Sequence, residues 1–277
     1  MSLHQENTLV GFKRAAALGI DAVELDVRLT KDNRPVVFHD GTLERLCGIR
    51  RPISELTWDE ISQIRIPRRI AVGTDALGDI VVKTYEREAR ISLLEEVLAE
   101  IRLPINVELK SRFWGPSIGS IVAPMLVPHR DRVMVTSFYP GTLRDVARVD
   151  PTIARGYCWE ESTLGFAGLV GRRVLNGMLD GNFAGRVLGT HAVGANHTLV
   201  GKDTVRRLHA AGTAIGAHVL FPIGSPHVAT PETEVTRLVG LGVNWIESDD
   251  PERLQRCVTQ SCTSTADDFL VRYVASM

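Results

Sequence analysis

The sequence lacks the features that mark secreted, membrane-spanning or zinc-binding proteins. Its 277 residues include four cysteines, none in a Cys-x-x-Cys or Cys/His spacing, so no structural zinc site is expected. No apolar run approaches the roughly 20 residues that a membrane helix needs. The N-terminus has neither the basic nor the apolar region of a signal peptide. We therefore expect reduced thiols, no stable membrane insertion and a cytoplasmic location.

The chain also has no large excess of either positive or negative charge. The chain has 32 Lys+Arg and 33 Asp+Glu, and its basic residues are scattered, which argues against a nucleic-acid partner. It has no repeat, no low-complexity segment and no linker rich in Pro, Gly or Ser. We predict one domain over residues 1–277, with an insertion at about 49–90 and a tail at about 256–277. The sequence leaves open whether two copies of the chain form a homodimer.

Short runs rich in β-branched residues alternate with stretches of helical periodicity, which is typical of β/α units and a parallel sheet. Seven strands at this length predict an α/β fold of the TIM-type (β/α)8 class with one strand uncounted, and a doubly wound sheet is the alternative. The insertion is predicted to hold one helix followed by irregular surface. The predicted strands are 22–27, 104–110, 132–138, 153–159, a weak run around 189–195, 214–220 and 244–249. The predicted helices are 9–18, 57–63, 93–101, 118–126, 140–149, 202–211 and 231–241.

Two carboxylates stand two positions apart in the first predicted strand. Glu24 and Asp26 point to the same face, because side chains alternate along a strand. Buried side by side they would repel each other unless a proton or a cation lay between them, so the pair favours a hard divalent metal. The alternative is that one of them points into water at a strand end.

A hairpin follows this strand. Thr30-Lys31-Asp32-Asn33 is a tight-turn sequence, and the strand character resumes after it. With the turn centred between Asp32 and Asn33, His39 lies opposite Asp26, where an imidazole suits general acid or base work near pH 7. Two alternatives remain: a purely structural histidine, or a register slipped by one residue, which would turn His39 to the other face.

The third polar group lies in the strand 104–110. Asn106, Glu108 and Lys110 alternate with apolar residues and therefore share a face near the carboxyl end of the strand, where barrels keep their active sites. Glu108 would be a third carboxylate for the metal, and Lys110 would offset the charge of a phosphate oxygen. The alternative is a surface Glu–Lys pair.

These residues carry a family resemblance. The run ENTLVGFKRAAALGIDAVELDVRLTKDNRPVVFHDGTLERL, then ISELTWDEI, NVELK, VTSFYPGTL and GVNWIESDDPERL, resembles the glycerophosphodiester phosphodiesterase family over most of the chain. The resemblance implies a TIM barrel with one divalent cation, Mg²⁺ or Ca²⁺, and a small phosphodiester substrate that is hydrolysed to glycerol 3-phosphate and an alcohol. It implies Glu24, Asp26 and Glu108 as metal ligands, His39 as one of two catalytic histidines, and Lys110 as a phosphate contact.

The resemblance is incomplete at the N-terminus. Family members begin with a strand that ends in His-Arg-Gly and supplies the second histidine, whereas here the chain opens with Met-Ser-Leu-His-Gln before the ENT motif. His4 lies two residues before Glu6, too close to the motif to be the family histidine. We therefore expect the first barrel strand to be missing. A late start, a fragment and a natural loss remain alternatives. The tail 268–275 is predicted as an outer helix, with a strand that fills the gap as the alternative.

Further candidates lie at other strand ends. His218, which stands where family members often carry a tryptophan, is predicted to contact substrate or to line the pocket, and Ser137 and Phe138 to line the same mouth. Trp114 and Trp159 are placed either beside the alcohol moiety or in the core. Two further functions stay open: a sphingomyelinase-D-like lyase, and a catalytically impaired protein that binds metal or phosphodiesters.

Overall fold

The computed structural model describes residues 4–110, 117–159, 177–222, 229–262 and 272–276, with the backbone alone for 260–262 and 272–276. The helices in these ranges are α1 Leu9–Ala17, α2 Glu44–Cys47, α3 Trp58–Ser62, α4 Leu94–Glu100, α5 Ile118–Leu126, α6 Pro140–Val149, α7 Lys202–Ala210, α8 Glu232–Leu241 and α9 Pro251–Cys262. Short 3-10 turns lie at Ile53–Glu55, Val127–His129 and His197–Leu199, and a π-helical turn at Ala184–Leu188.

The strands are β1 Ala22–Leu29, β2 Pro35–Val37, β3 Arg65–Ile66, β4 Arg69–Thr74, β5 Ile80–Thr84, β6 Ala89–Arg90, β7 Ser92–Leu93, β8 Ile105–Leu109, β9 Val133–Ser137, β10 Ala154–Trp159, β11 Ala192–Asn196, β12 Ala214–Val219, β13 Trp245–Ser248 and β14 Arg272–Ser276. The order β1-β8-β9-β10-β11-β12-β13-β14 is parallel throughout, and β14 pairs back onto β1. These strands therefore close a TIM-type barrel, which confirms the predicted fold class. None of the helices in the described ranges is long and apolar enough to cross a bilayer.

The closing strand comes from the C-terminal tail, so within the described residues 272–275 the predicted outer helix is wrong and the alternative, a strand that fills the gap, is confirmed. Arg272 pairs with Trp245 of β13, and Ser276 pairs with Glu24 of β1. An open barrel would leave unpaired N–H and C=O groups on both neighbouring strands, and the tail satisfies both edges at once. The last helix, α9, ends at Cys262, before this strand.

The pairing of β14 predicts slow hydrogen exchange in a segment at the end of the chain. The amides of Arg272–Ser276 are expected to be as protected as those of β13, because the strand lies between two parallel neighbours. Native-state exchange followed by mass spectrometry of C-terminal peptides checks this. The segment Asp75–Asp79 at the β4–β5 turn is the fast-exchanging reference. Exchange of 272–276 at the rate of that turn would contradict a closed barrel.

The segment between β2 and β8 builds a second, smaller apolar cluster, which includes Phe38, Leu43, Leu46, Ile61 and Ile66. The predicted irregular surface after α3 is instead two short antiparallel pairs, β3–β6 and β4–β5. Two-residue strands and a hairpin with one exposed face carry too little periodicity to be recognised in the sequence. The insertion joins the barrel through the pairing of β2 with β1 and of β7 with β2.

The β1–β2 hairpin differs by one residue from the predicted register. Val27 pairs with Val37 and Leu29 with Pro35, so Phe38 and not His39 lies opposite Asp26. The loop has three residues rather than two, because Asn33 adopts a left-handed φ of 60° before the strand resumes. β2 then ends at Val37, which leaves His39 outside the ladder.

Candidate active site

A cavity of about 440 Å³ lies inside the barrel and extends past the carboxyl ends of its strands. Its lining brings together seven of the eight residues predicted to take part in catalysis, metal binding or substrate contact: Glu24, Asp26, His39, Glu108, Lys110, Phe138 and His218. Residues from β1, the loop after β2, and the ends of β8, β9 and β12 therefore converge on one space.

Three carboxylates form the acidic wall of the cavity. Oxygen atoms of Glu24, Asp26 and Glu108 all lie within 4.8 Å of one another, and Glu24 and Asp26 are each 5% exposed. Asp26 and Glu108 stand at paired positions of adjacent parallel strands, so their side chains point to the same face. Burial and the charge of Asp26 raise the pKa values of Glu24 and Glu108. A hard cation bound by oxygen ligands would relieve this repulsion, so these residues fit a divalent metal.

Lys110 lies against the same wall. Its Nζ is 3.0 Å from Asp26 Oδ1 and 2.5 Å from Glu108 Oε1. Although burial acts to lower the pKa of Lys110, the charges of Asp26 and Glu108 raise it well above its ordinary value. The lysine is therefore a fixed positive charge beside the carboxylates.

His39 reaches the cavity from the loop after β2. Its Nδ1 lies 2.7 Å from Asp40 Oδ1, and this hydrogen bond raises the pKa of His39 despite the opposing effect of burial. The contact occupies Nδ1 and leaves Nε2 as the ring nitrogen available for proton exchange. The predicted partner of His39 across the hairpin was wrong, but the imidazole still lies beside the carboxylates because the chain turns after Val37.

Replacing Asp40 by asparagine is expected to move the titration of His39 to lower pH. The carboxylate stabilises the charged imidazolium, so its removal lowers the pKa of His39 and the neutral ring persists to a lower pH. Imidazole NMR resonances followed through a pH titration give the midpoint. Asp59→Asn, a change of an exposed carboxylate on α3, is the matched control. An unchanged midpoint in Asp40→Asn would show that Asp40 does not set the charge of His39.

The two candidates at the end of β9 lie on opposite faces. Phe138 lines the cavity, and Lys110 Nζ stands 5.8 Å from the centre of its ring. Ser137 is fully buried, donates a hydrogen bond to the Leu109 carbonyl oxygen at 2.8 Å, and is not among the residues that line the cavity. The prediction that Ser137 lines the mouth is therefore wrong. Strand alternation explains this, because Thr136 and Phe138 point inward and the residue between them points away.

Of the two tryptophans predicted to lie beside the alcohol moiety or in the core, one lies in the core and the other lies outside the described ranges. Trp159 is 1% exposed and packs edge-on against Tyr157, with ring centres 4.9 Å apart, so it belongs to the core. Trp114 lies outside the described residues. His4 is described but is not among the residues that line the cavity. The indole that does line the cavity is that of Trp245, which lies across Gly216.

Glu247 and Asn7 are two of the polar groups at the site that the sequence analysis missed. Glu247 lines the cavity floor, where burial and the charges of Glu108 and Asp26 raise its pKa to about 8. Asn7 hydrogen-bonds to Asp26 with its side chain. The alternation of Trp245, Glu247 and Asp249 along β13 was the available signal for the first. No local pattern marks the second, because its partner lies on another element.

Comparison with known proteins gives a consistent result. The family model described as the glycerophosphoryl diester phosphodiesterase family matches residues 1–253. A glycerophosphodiester phosphodiesterase from Caldanaerobacter subterraneus subsp. tengcongensis is 32% identical over 158 residues, which are 56% of this chain and 61% of that protein. The match thus spans less than two thirds of the relative's length.

Solved structures share the fold. The glycerophosphodiester phosphodiesterase from Agrobacterium tumefaciens superposes with a TM-score of 0.65 at 18% identity, covering 90% of this chain and 92% of that one. A phosphodiesterase from Oleispira antarctica, in complex with the product sn-glycerol 3-phosphate, superposes with a TM-score of 0.63 at 22% identity, covering 91% of each chain. With the family model matched over most of its length, the chain belongs to the glycerophosphoryl diester phosphodiesterase family.

Proposed function

We propose that the protein hydrolyses glycerophosphodiesters to glycerol 3-phosphate and an alcohol, and that the reaction requires one divalent cation. The observation that carries the proposal is the convergence of three buried carboxylates, a paired lysine and an Asp-bonded histidine in one barrel cavity. Family membership and a fold shared with a product-bound phosphodiesterase support it.

Glu24, Asp26 and Glu108 would hold the cation, Mg²⁺ or Ca²⁺, because both metals prefer carboxylate oxygens. When bound, such a cation supplies positive charge for the non-bridging phosphate oxygens. Lys110 adds a second positive charge at the same edge of the cavity, and its ion pairs with Asp26 and Glu108 fix where that charge lies. Lys110 would thereby stabilise the negative charge on the non-bridging phosphate oxygens as water attacks.

His39 would exchange a proton through Nε2, either from the attacking water or to the leaving alkoxide. Asp40 keeps the ring oriented for that role through Nδ1. His218 and Phe138 line the same cavity and would contact the substrate. In this arrangement the chain's own residues bind and orient the phosphodiester, and His39 handles one of the two proton transfers.

The test is the release of glycerol 3-phosphate from glycerophosphocholine and glycerophosphoethanolamine, with and without added Mg²⁺ or Ca²⁺. Metal-dependent release supports the proposal. Reaction in isotopically labelled water separates hydrolysis, which incorporates solvent oxygen into the phosphate, from a lyase reaction, which forms a cyclic phosphate without it. Metal binding without any turnover would overturn the proposal in favour of a binding protein.

Binding of the cation is expected to release protons. Because burial and mutual repulsion raise the pKa values of Glu24 and Glu108, and that of Glu247 to about 8, these carboxyl groups keep their protons to a higher pH than ordinary carboxyl groups do. A bound cation favours their charged forms, so protons leave and metal affinity rises with pH up to about 8. Calorimetry in buffers of different ionisation enthalpy measures the number released. Equal heats in all buffers would contradict the prediction, and titration with Na⁺ at matched ionic strength is the control.

A further inference from the structure

The turn that leads into α1 presents two adjacent side chains to two different parts of the site. Asn7 has a left-handed φ of 53°, a conformation that non-glycine residues seldom adopt. Thr8 then caps α1 by accepting a hydrogen bond from the Gly11 amide. Glu6 and Asn7 are both buried, at 8% and 2% exposure. A buried polar turn with an unusual backbone is stable only where its groups are fully hydrogen-bonded.

Asn7 holds the carboxylate cluster. Its Nδ2 donates to Asp26 Oδ2 at 2.9 Å, and its Oδ1 accepts from the Asp26 amide at 3.0 Å. One side chain thus fixes both the carboxylate and the backbone of the same residue. The contact leaves Asp26 Oδ1 directed to the wall that Lys110 and Glu108 share.

Glu6 holds His39 through two intermediates. Both carboxylate oxygens of Glu6 accept from Arg45, with Nη1 at 2.9 Å from Oε2 and a short contact from Nη2 to Oε1. Arg45 also donates from Nε and Nη2 to Asp40, at 2.7 and 3.0 Å. Asp40 Oδ1 then contacts His39 Nδ1 at 2.7 Å. The four side chains form one continuous hydrogen-bonded relay.

Arg45 is therefore occupied by the protein itself. Four of its five N–H donors are used within the relay, so it lines the cavity without being free to grip a phosphate. Its planar guanidinium instead links two carboxylates in a fixed geometry. The charged groups that act on His39 are Asp40, Asp26, Lys110 and Glu6, and Glu6 reaches it through Arg45 as well.

We propose that Glu6 and Asn7 are positioning residues with separate roles in one turn. Asn7 holds the metal-binding carboxylate Asp26, and Glu6 holds the proton-transfer group His39 through Arg45 and Asp40. The inference deepens the proposed function and rests on it for the roles of Asp26 and His39. Each residue is expected to affect its own partner and to leave the other unchanged, a separation that general loosening of the turn would not produce.

The test compares Asn7→Gly, which keeps the left-handed backbone, with Glu6→Gln, which keeps the shape but not the charge. Asn7→Gly is expected to weaken binding of Ca²⁺ or Mg²⁺, measured by calorimetry, by about 10- to 100-fold, as loss of a partner that orients a metal ligand does. It should leave the NMR titration midpoint of His39 unchanged. Glu6→Gln is expected to lower that midpoint, shift the pH profile of kcat with little change in KM, and leave metal affinity unchanged.

Gln5→Ala is the matched control, because the Gln5 side chain donates to the backbone carbonyls of Pro67 and Arg87 in the insertion and to neither Asp26 nor the relay. It should move neither readout. Asp40→Asn interrupts the relay next to His39 and should also lower the His39 midpoint while leaving metal affinity unchanged, which covers the case in which Glu6→Gln fails to fold. Equal effects of both turn variants on both readouts, or the same pattern in Gln5→Ala, would overturn the inference. Calorimetry and NMR need no turnover. An inactive wild-type protein would therefore contradict the proposed function but would leave this test of Glu6 and Asn7 intact.

Discussion

Replacing both Glu24 and Asp26 by alanine is expected to reduce metal-dependent release of glycerol 3-phosphate by about 1,000-fold. The two side chains form most of the buried acidic wall, with Glu108 as its third member. Without them the cation would have one carboxylate left, and loss of about 4 kcal/mol of charge stabilisation in the transition state corresponds to this factor. Initial rates at saturating cation, with glycerophosphocholine as substrate, measure the effect.

Folding must be separated from chemistry in this experiment. The isosteric pair Glu24→Gln and Asp26→Asn keeps the shape of the wall and removes its charge. Because burial and the charge of Asp26 raise the pKa of Glu24 in the metal-free protein, Glu24→Gln should melt no lower than wild type without metal, whereas Asp26→Asn also removes an ion-pair partner of the buried Lys110 and should melt lower. Neither variant should gain stability from added Ca²⁺. Glu100→Ala, a change on the exposed side of α4, is the control for a lost surface carboxylate. Wild-type rates in the double variant would place the metal elsewhere and contradict the site.

Replacing Gly216 by alanine is expected to be the most damaging single change in the barrel. A Cβ atom at this position would lie 1.8 Å from the Trp245 ring, and two further ring atoms stand at 2.2 and 2.3 Å. The indole is 8% exposed and stacks across the strand, so it can yield only by moving into the cavity. We expect a loss of about 3 kcal/mol in the free energy of unfolding, the upper end of ordinary overpacking, measured by urea denaturation.

Gly194 supplies the matched control, since it pairs with Gly216 on the neighbouring strand β11 and faces the same indole. A Cβ at Gly194 would lie 4.0 Å from the ring, which is ordinary contact. Gly194→Ala is therefore expected to change stability little, and the difference between the two variants isolates the steric effect. A similar loss in both would point to glycine's backbone freedom instead. Substrate affinity should also fall in Gly216→Ala, because the displaced ring would fill part of the cavity.

Local pattern determined a large part of the site. The period of two in strands placed Glu24 with Asp26 and Asn106 with Glu108 before any tertiary information was needed. The same rule places Phe138 in the cavity and Ser137 outside it once the inward phase of β9 is known. The alternation of side chains along the strand could be predicted from the sequence. Which of the two sets points into the cavity depended on the neighbouring strands.

Loop geometry was the weakest step. A two-residue hairpin loop and a three-residue one differ by a single left-handed residue, Asn33, and that difference moved His39 out of register. The imidazole still lines the cavity because the turn after Val37, not the ladder, directs it. A correct site residue was thus predicted through an incorrect pairing.

The sequence by itself determined the β/α alternation, the acidic wall with its lysine, and the histidine beside it, because these depend on periodicities within one or two adjacent elements. The tertiary structure alone decided that the tail strand closes the barrel and that Glu247 lines the same cavity as the carboxylates. It also decided that Asn7 bonds to Asp26 and that Arg45 links Glu6 to Asp40. These contacts join segments far apart in the chain. Their free energy comes from satisfying strand edges and buried polar groups, which exist only once the barrel has formed.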